Sequence, residues 1–437
     1  MNLKFRNILL FAIMGVLLVA VGVIQSANVA LAILNLCLIS AIMTLGVNIQ
    51  WGYAGLFNAG VMGFAALGGL AAVLVSFPPV SDAWAVGGAR AMLGVVMGAI
   101  SIVLAILAFK RVPGSRRVRG WAAALVALTG IILMRLILDP AVEAIEAVEP
   151  AKTGFLGGLG LPIALSWVAG GAFAALAAWG IGKIALGLRS DYLAIATLGI
   201  SEIIIYFLKN EDWLVRGVKN VNGLPRPVPY EIELQKTLWV QELAAQLDFN
   251  VIELSSIIVK LSYAGLFMVV LAIVFWLSER ALKSPWGRMM RAIRDNEVAA
   301  SAMGKDVTWR HLQVFVLGSA VIGLAGAMLT TLDGIFTPAS YQPLRFTFLI
   351  WVMVIVGGSG NNLGSILGGF AIWFFWIEAE PIGLALIELL TSGMAEDSAL
   401  RLHLIENAAH TRLATMGVVL LLVLRFSPRG LIPERGK

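Results

Sequence analysis

Cysteine and histidine are almost missing from this chain, with one of the first and three of the second in 437 residues. A disulfide framework is excluded, and there are no thiolate and imidazole clusters from which to build a zinc site. Cys37 lies inside an apolar run, where it reads as a small buried hydrophobe. His403 and His410, seven residues apart, would share a face if one helix carried both, but no carboxylate set accompanies them, and His311 stands alone. Charge is scarce too, at 13% of residues, and no nucleophile and base pair is legible. Nor is there a GxxxxGK followed by Ser or Thr: Gly182-Lys183 runs into Ile184, and Gly304-Lys305 into Asp306. A phosphate-cradling loop is therefore absent from the sequence, and the chain reads as a non-enzyme without a cofactor or metal of its own.

What is present is apolar. Hydrophobic residues make up 59% of the chain and glycine accounts for 46 positions, more apolar surface than a water-soluble fold can hide. Runs able to span or re-enter a bilayer occur at about 8–26, 29–48, 54–76, 91–109, 121–138, 161–182, 192–208, 252–277, 312–332, 346–357, 364–379 and 411–425. The expected fold class is all-α: a polytopic α-helical integral membrane protein, one transmembrane domain over 1–437, with about ten to twelve membrane-embedded helices. Some of these are expected to be broken or re-entrant. Lys4 and Arg6 before the first run resemble a signal peptide, yet the cleavage-like Ala30-Leu31-Ala32 lies inside the next run, so an uncleaved first helix entering from the cytoplasm is expected.

The formal charge of +6 sits in short loops between apolar runs, where basic residues orient helices against an anionic leaflet. No nucleic-acid partner is needed to explain it. The loop KRVPGSRRVRG (Lys110 to Gly120) has five Lys or Arg and no acid, which places it in the cytoplasm. The next connection, from Asp139 to Lys152, has four acids and one lysine, as suits the far side. Counting crossings then puts both termini inside, in keeping with the basic tail RFSPRGLIPERGK.

Four further stretches interrupt the apolar pattern. WGYAGLFNAG (Trp51 to Gly60) and GGSGNNLGS (Gly357 to Ser365) read as breaks; irregular backbone at membrane depth survives only where protein or a water-filled cavity satisfies it. The second reads as a tight turn, the first as a candidate pathway element through Gly55 and Asn58. The polar segment 209–250, with Pro225 and Pro227, reads as a structured external cap. Between 279 and 311 lies a polar, alanine-rich insert. Ser284-Pro285 offers a cap and first helical position, Arg288, Arg291 and Arg294 recur every three residues, and Asp295-Asn296 offer a break or second cap. EVAASAM then forms a helix that Gly304 ends in the left-handed region. Its small residues Ala299, Ala300 and Ala302, with Glu297 at the positive end and Met303 as an adaptable contact, suit close approach by another protein.

RAIRDNEVAASAMGKDV resembles the coupling segment of ABC importer permeases, a glutamate and two alanines followed by a glycine; here Glu297, Ala299, Ala300 and Gly304 match, with Val298 inserted. In order along the chain come GYAGLFNAGVMGFAALGG, LRSDYLAIATLGISEII, NGLPRP, this segment, VIVGGSGNNLGSILGG and RFSPRGLI. The ordered set resembles the larger of the two permeases of branched-chain amino acid ABC importers and covers most of the chain from Gly52. Many relatives have glutamine, serine and histidine where this chain has Leu56, Asn58 and Val61, and the stretch Phe77 to Leu156 is longer than usual. The resemblance implies a bacterial inner-membrane import machine. An external binding protein delivers substrate, two permeases form the path, and two cytoplasmic ATPases use the ATP. Glu297, Ala299, Ala300, Gly304 and Arg294 would transmit ATPase closure.

Glu202, in LAIATLGISEIIIYF, would cost about 2.5–3.5 kcal/mol at mid-bilayer, so it is expected to face a cavity or partner. Substrate contact and a structural hydrogen bond to a neighbouring helix both stay open, with Thr197 on the same helix as a further pathway candidate. Asp191 and Lys209 read as interfacial anchors, and Arg135 as a snorkelling side chain. An ion-coupled secondary transporter built on Glu202 and the broken helices is the alternative class. Urea or short amides are the alternative cargo.

Overall fold

The computed structural model describes residues 3–150, 152–394 and 398–434. All twelve apolar runs form helices: α1 (Leu3–Ile24), α2 (Ala27–Ala54), α3 (Val61–Ser76), α4 (Ala89–Arg111), α5 (Arg116–Glu146), α6 (Ile163–Ala185), α7 (Ser190–Asn210), α8 (Val251–Lys283), α11 (Val307–Asp333), α12 (Pro343–Gly357), α13 (Asn362–Leu390) and α14 (Thr411–Phe426). Between α8 and α11 stand α9 (Pro285–Asp295) and α10 (Glu297–Ala302). Among the described residues nine helices are long and apolar enough to cross a membrane, and α3 and α12 are shorter apolar helices. The protein is thus a polytopic all-α membrane protein.

Helix α2 is the hub. It is buried almost continuously from Cys37 to Ala54 and packs against α8, α11 and α13. A helix hidden on every side must be apolar all round, as this one is, and the few polar groups it carries must find partners. Beside it α11 meets α3 and α6 so closely that only glycine fits. A Cβ on Gly323 of α11 would stand 2.4 Å from the carbonyl oxygen of Gly170 on α6, and one on Gly326 would stand 2.1 Å from that of Ala65 on α3. Small residues let backbones meet where lipid offers no hydrophobic drive for association.

Helix α13 runs well past the apolar stretch that announces it, to Leu390 and through Pro381. Charge ended the run in sequence, but the structure pairs it: Gln25 Nε2 donates to Glu378 at 2.7 Å and Arg412 to Glu380 at 2.7 Å. His403 and His410 do not share a helix, contrary to their spacing, because helix Ala399–Glu406 ends between them. No metal-holding group of His, Cys, Asp or Glu occurs among the described residues. Cys37 is fully buried, with its thiol toward the Phe370 carbonyl at 3.5 Å. Arg135 is exposed and reaches Asp139, one turn on, at 3.7 Å.

The two ends of the bundle differ. At one, the strand end, β1 (Val221–Asn222) pairs antiparallel with β2 (Ile335–Phe336), and the segment 209–250 folds into short helices, among them Leu238–Leu247. Arg226 and Glu231 meet there at 3.0 Å, and the buried Tyr341 hydroxyl lies 2.7 Å from that of Thr330. Burial pushes the Tyr341 phenol further up, so it stays protonated. At the other end α9 and α10 close the gap between α8 and α11.

Candidate functional site

Helix α2 ends where its sequence turns to glycine. Gly55 adopts φ 69°, in the left-handed region, and its N–H bonds to the carbonyl of Trp51 at 2.8 Å. Residues 55–60 carry no helix, yet Leu56, Asn58 and Gly60 are buried. Helix α3 is left with 16 residues, about 24 Å, because residues 55–60 lead into it without helical structure. The unwound amides are satisfied by side chains. Ala59 N donates to Thr197 Oγ1 at 3.0 Å, Gly60 N to Asn58 Oδ1 at 2.8 Å, and Trp351 Nε1 to the Asn58 carbonyl at 2.9 Å. Asn58 Nδ2 continues to Gln50 Oε1 at 2.9 Å, and Gln50 Nε2 to Ser319 Oγ at 3.0 Å and the Phe315 carbonyl at 2.9 Å. Trp51, Phe57 and Trp351 pack as a ring cluster beside it, with Phe57 and Trp351 centroids 4.3 Å apart.

Of the four pathway candidates, the structure therefore brings Gly55, Asn58 and Thr197 into one break. Asn58 and Thr197 are buried and hydrogen-bonded, so they hold the backbone of the break. Glu202 lies apart from them. It faces out from α7 in a stripe with Ile195, Gly199 and Tyr206, and takes part in no hydrogen bond or ion pair among the described residues. The hydrogen bond to a neighbouring helix of this chain is thus not made.

The insert folds as capped helices in series. Ser284 Oγ accepts from Gly287 N at 3.3 Å with Pro285 at the first position, and Asn296 Oδ1 accepts from Ala299 N at 2.9 Å to start α10. Gly304 ends it at φ 75°. Met290 and Ile293 bury α9 against α2, whereas the stretch from Glu297 to Asp306 is exposed except for half-buried Ala300. Val298 and Met303 are each 79% exposed, making an apolar-tipped knob beyond the helices.

Arg294 ties this knob to the break. Its guanidinium donates to the Gly52 carbonyl in the last turn of α2, and to Glu434 at 2.9 Å; its Cγ lies 3.3 Å from where a Gly55 Cβ would stand. Arg291 approaches the same Glu434 at 4.0 Å, while Arg288 turns away to the Lys283 carbonyl. The basic stripe seen in the sequence is thus divided between this chain's tail and solvent. That tail is a strap: Leu431 N and Ile432 N bond to the Val356 and Gly357 carbonyls, and Asn361 Nδ2 to the Pro433 carbonyl. The turn it covers, between α12 and α13, bonds back to α2 through Gly360 N and Asn48 Oδ1 at 2.8 Å.

Sequence reasoning missed this second network. Asn48 Nδ2 donates to Asn362 Oδ1 at 3.0 Å, Tyr53 OH donates to the same oxygen, and Asn362 Nδ2 donates to Glu279 Oε1 at 2.9 Å. Glu279 also pairs with Lys283 at 2.9 Å. A cavity of about 360 Å³ opens beside it, with Arg291 and Glu434 on its wall. The available signal was polar residues inside an apolar run, Asn48 and Gln50, since amides buried in a hub helix need partners.

Comparison with known proteins gives one consistent result. Residues 114–424 match the family model described as branched-chain amino acid transport system / permease component. The chain is 30% identical over 211 residues to the high-affinity branched-chain amino acid transport system permease protein LivM of Escherichia coli (strain K12), covering 47% of each chain. It is 24% identical over 248 residues to the probable branched-chain amino acid transport permease protein LivM of Methanocaldococcus jannaschii, covering 57% of this chain and 61% of that one. A shorter match, 25% over 126 residues, is to the fructose import permease protein FrcC of Rhizobium meliloti, covering 28% of this chain and 34% of that one. The matches thus span about half the length of the first two curated relatives. No solved structure matches.

Proposed function

Because this chain belongs to the family of branched-chain amino acid transport permease components, we propose that it is one permease subunit of an ATP-driven importer of branched-chain and other hydrophobic amino acids. It forms the path with a second permease. Two separate cytoplasmic ATPases hydrolyse the ATP, and an external binding protein delivers substrate. In this reading the chain sits in a bacterial inner membrane with both termini and the insert in the cytoplasm and segment 209–250 outside.

The observation that carries the reading is Arg294. A solvated loop has no use for an exposed, small-residue knob, and still less for a half-buried arginine anchor from that knob to the one place where a hub helix unwinds. ATPase movement delivered to Glu297, Ala299, Ala300 and Gly304 would pass along α9 to Gly52 and Gly55, and so to the break that opens into α3. Conformational change travels through packed elements with two arrangements, and in this reading the helix end held by glycine and side-chain bonds would be such an element. Glu202 supports the two-permease arrangement. A carboxylate exposed midway along an apolar helix is costly against lipid, and a facing subunit or the path between subunits relieves that cost.

The test is uptake of labelled leucine by cells lacking the gene, complemented with wild type or Glu297→Arg at equal membrane abundance. Restoration by wild type alone supports both cargo and coupling role. Restoration by both removes the coupling role, and leucine uptake that never depends on the chain removes the cargo. Labelled urea and fructose are then the next cargoes to try. Ion-gradient flux by the purified chain alone in proteoliposomes would instead establish a secondary transporter.

A further inference from the structure

The stretch between α3 and α6 is a helical arm. Ser81–Arg111, helical throughout with a π-turn at Trp84–Gly88, packs antiparallel on α5. The two helices meet through small residues: a Cβ on Gly130 would stand 2.1 Å from that of Ser101, and one on Gly98 would stand 2.5 Å from Met134 Sδ. The arm joins the body at its root, where Ala83, Ala91, Ala141 and Ile145 pack with Leu156 and Trp213. Beyond the root the apolar side chains of both helices, including Ile102, Val103, Leu128 and Leu136, are exposed.

Two features coincide toward the tip. The tip carries Lys110, Arg111, Arg116, Arg117 and Arg119, none paired with a carboxylate among the described residues, and the Arg119 Nε is buried without a hydrogen-bond partner. Below it an apolar groove of about 400 Å³ runs between the helices, from Leu104 and Leu125 to Met97 and Leu133, with Thr129 at its edge. At 1.5 Å per residue the groove starts about 9 Å from Arg119 and runs about 12 Å further. Cations followed at that depth by an apolar slot match a phosphate headgroup followed by an acyl chain. Trp121, 78% exposed one turn from the cations, is placed as aromatic residues are at a membrane–water interface.

We infer that the arm is a docking site for an anionic phospholipid, whose phosphate meets the cations at the tip and whose acyl chain lies in the groove between α4 and α5. Charge complementarity selects an acidic headgroup, since basic clusters at the leaflet surface attract anionic lipid. The root leaves the tip free to hold it without engaging the break or the knob.

Native mass spectrometry of the purified full-length chain, exchanged into mixed phosphatidylglycerol and phosphatidylcholine, tests this. Wild type is expected to retain phosphatidylglycerol over phosphatidylcholine by about tenfold or more. Replacing Lys110, Arg111, Arg116, Arg117 and Arg119 with Gln is expected to bring the preference near unity. Thr129→Phe, which fills the groove and keeps every cation, is expected to lower the number of retained lipids several-fold. Equal retention of both lipids by wild type, or a preference that survives the five substitutions, overturns the site. A preference lost with the cations but untouched by Thr129→Phe overturns the groove's part in it. Protection of a cysteine placed at Ser115 by a co-purified ATPase subunit, in place of lipid retention, identifies the tip as a protein contact and overturns it as well.

Discussion

Asn58 is wholly buried, with its amide spent on Gln50 and Gly60 and its carbonyl on Trp351. Asn58→Leu would strand Gln50 Oε1 and the Gly60 amide, and each buried group left unsatisfied costs about 1–3 kcal/mol. The expected outcome is a lower thermal unfolding midpoint in detergent and impaired uptake, with Asn58→Ser less affected because a hydroxyl still reaches the Gly60 amide. Glu202 is expected to behave the other way. With no partner among the described residues of its own chain, Glu202→Leu leaves the isolated subunit as stable as wild type, so co-purification of the second permease and uptake are the measurements that should fall. If both are unchanged, the exposed face of α7 is a lipid face. The sequence made Glu202 conspicuous because charge stands out in an apolar run. It did not reveal Asn48, Tyr53, Asn362 and Glu279 as a network, because their meeting depends on helices far apart in the chain.

At the scale of elements, the insert was legible almost residue by residue. Ser284, Pro285, Asn296 and Gly304 each have the local role their chemistry demands, and caps act within a turn, so no tertiary knowledge was needed. Gly304 has open space where a Cβ would stand, but its φ is positive. Gly304→Ala should therefore cost about 1 kcal/mol of local backbone strain and leave uptake largely intact, whereas Gly304→Trp, bulky on the exposed knob, should abolish uptake with the protein still in the membrane. Equal loss in both would mean that the cap, not the docking surface, matters. Packing glycines fail differently. Gly323→Val forces a side chain into the Gly170 carbonyl, and the expected result is loss of folded protein from the membrane, read by abundance in a fluorescence-detected size-exclusion profile. Helix α13 and the tail strap were less legible, since distant partners, Gln25 for Glu378 and Arg412 for Glu380, carried the one past its apolar run and backbone pairing with α12 fixed the other.

For the whole molecule, composition and run length sufficed to give a polytopic helical membrane protein, because a bilayer constrains backbone more tightly than water does. They did not give the connection between ends and centre. Arg294 joins an exposed knob to the end of α2 through one carbonyl, and that contact spans 242 residues of sequence. In the proposed reading it is also the contact through which force would pass. The direct measurement is leucine uptake alongside ATP hydrolysis, in proteoliposomes holding this chain, a second permease, the ATPases and the binding protein, with Arg294→Ala compared with wild type. Hydrolysis that persists while uptake falls at least about tenfold, with the ATPases still bound, is the expected result. Uptake and hydrolysis both unchanged would contradict the account, because the knob would then move the membrane helices without the tie to the break.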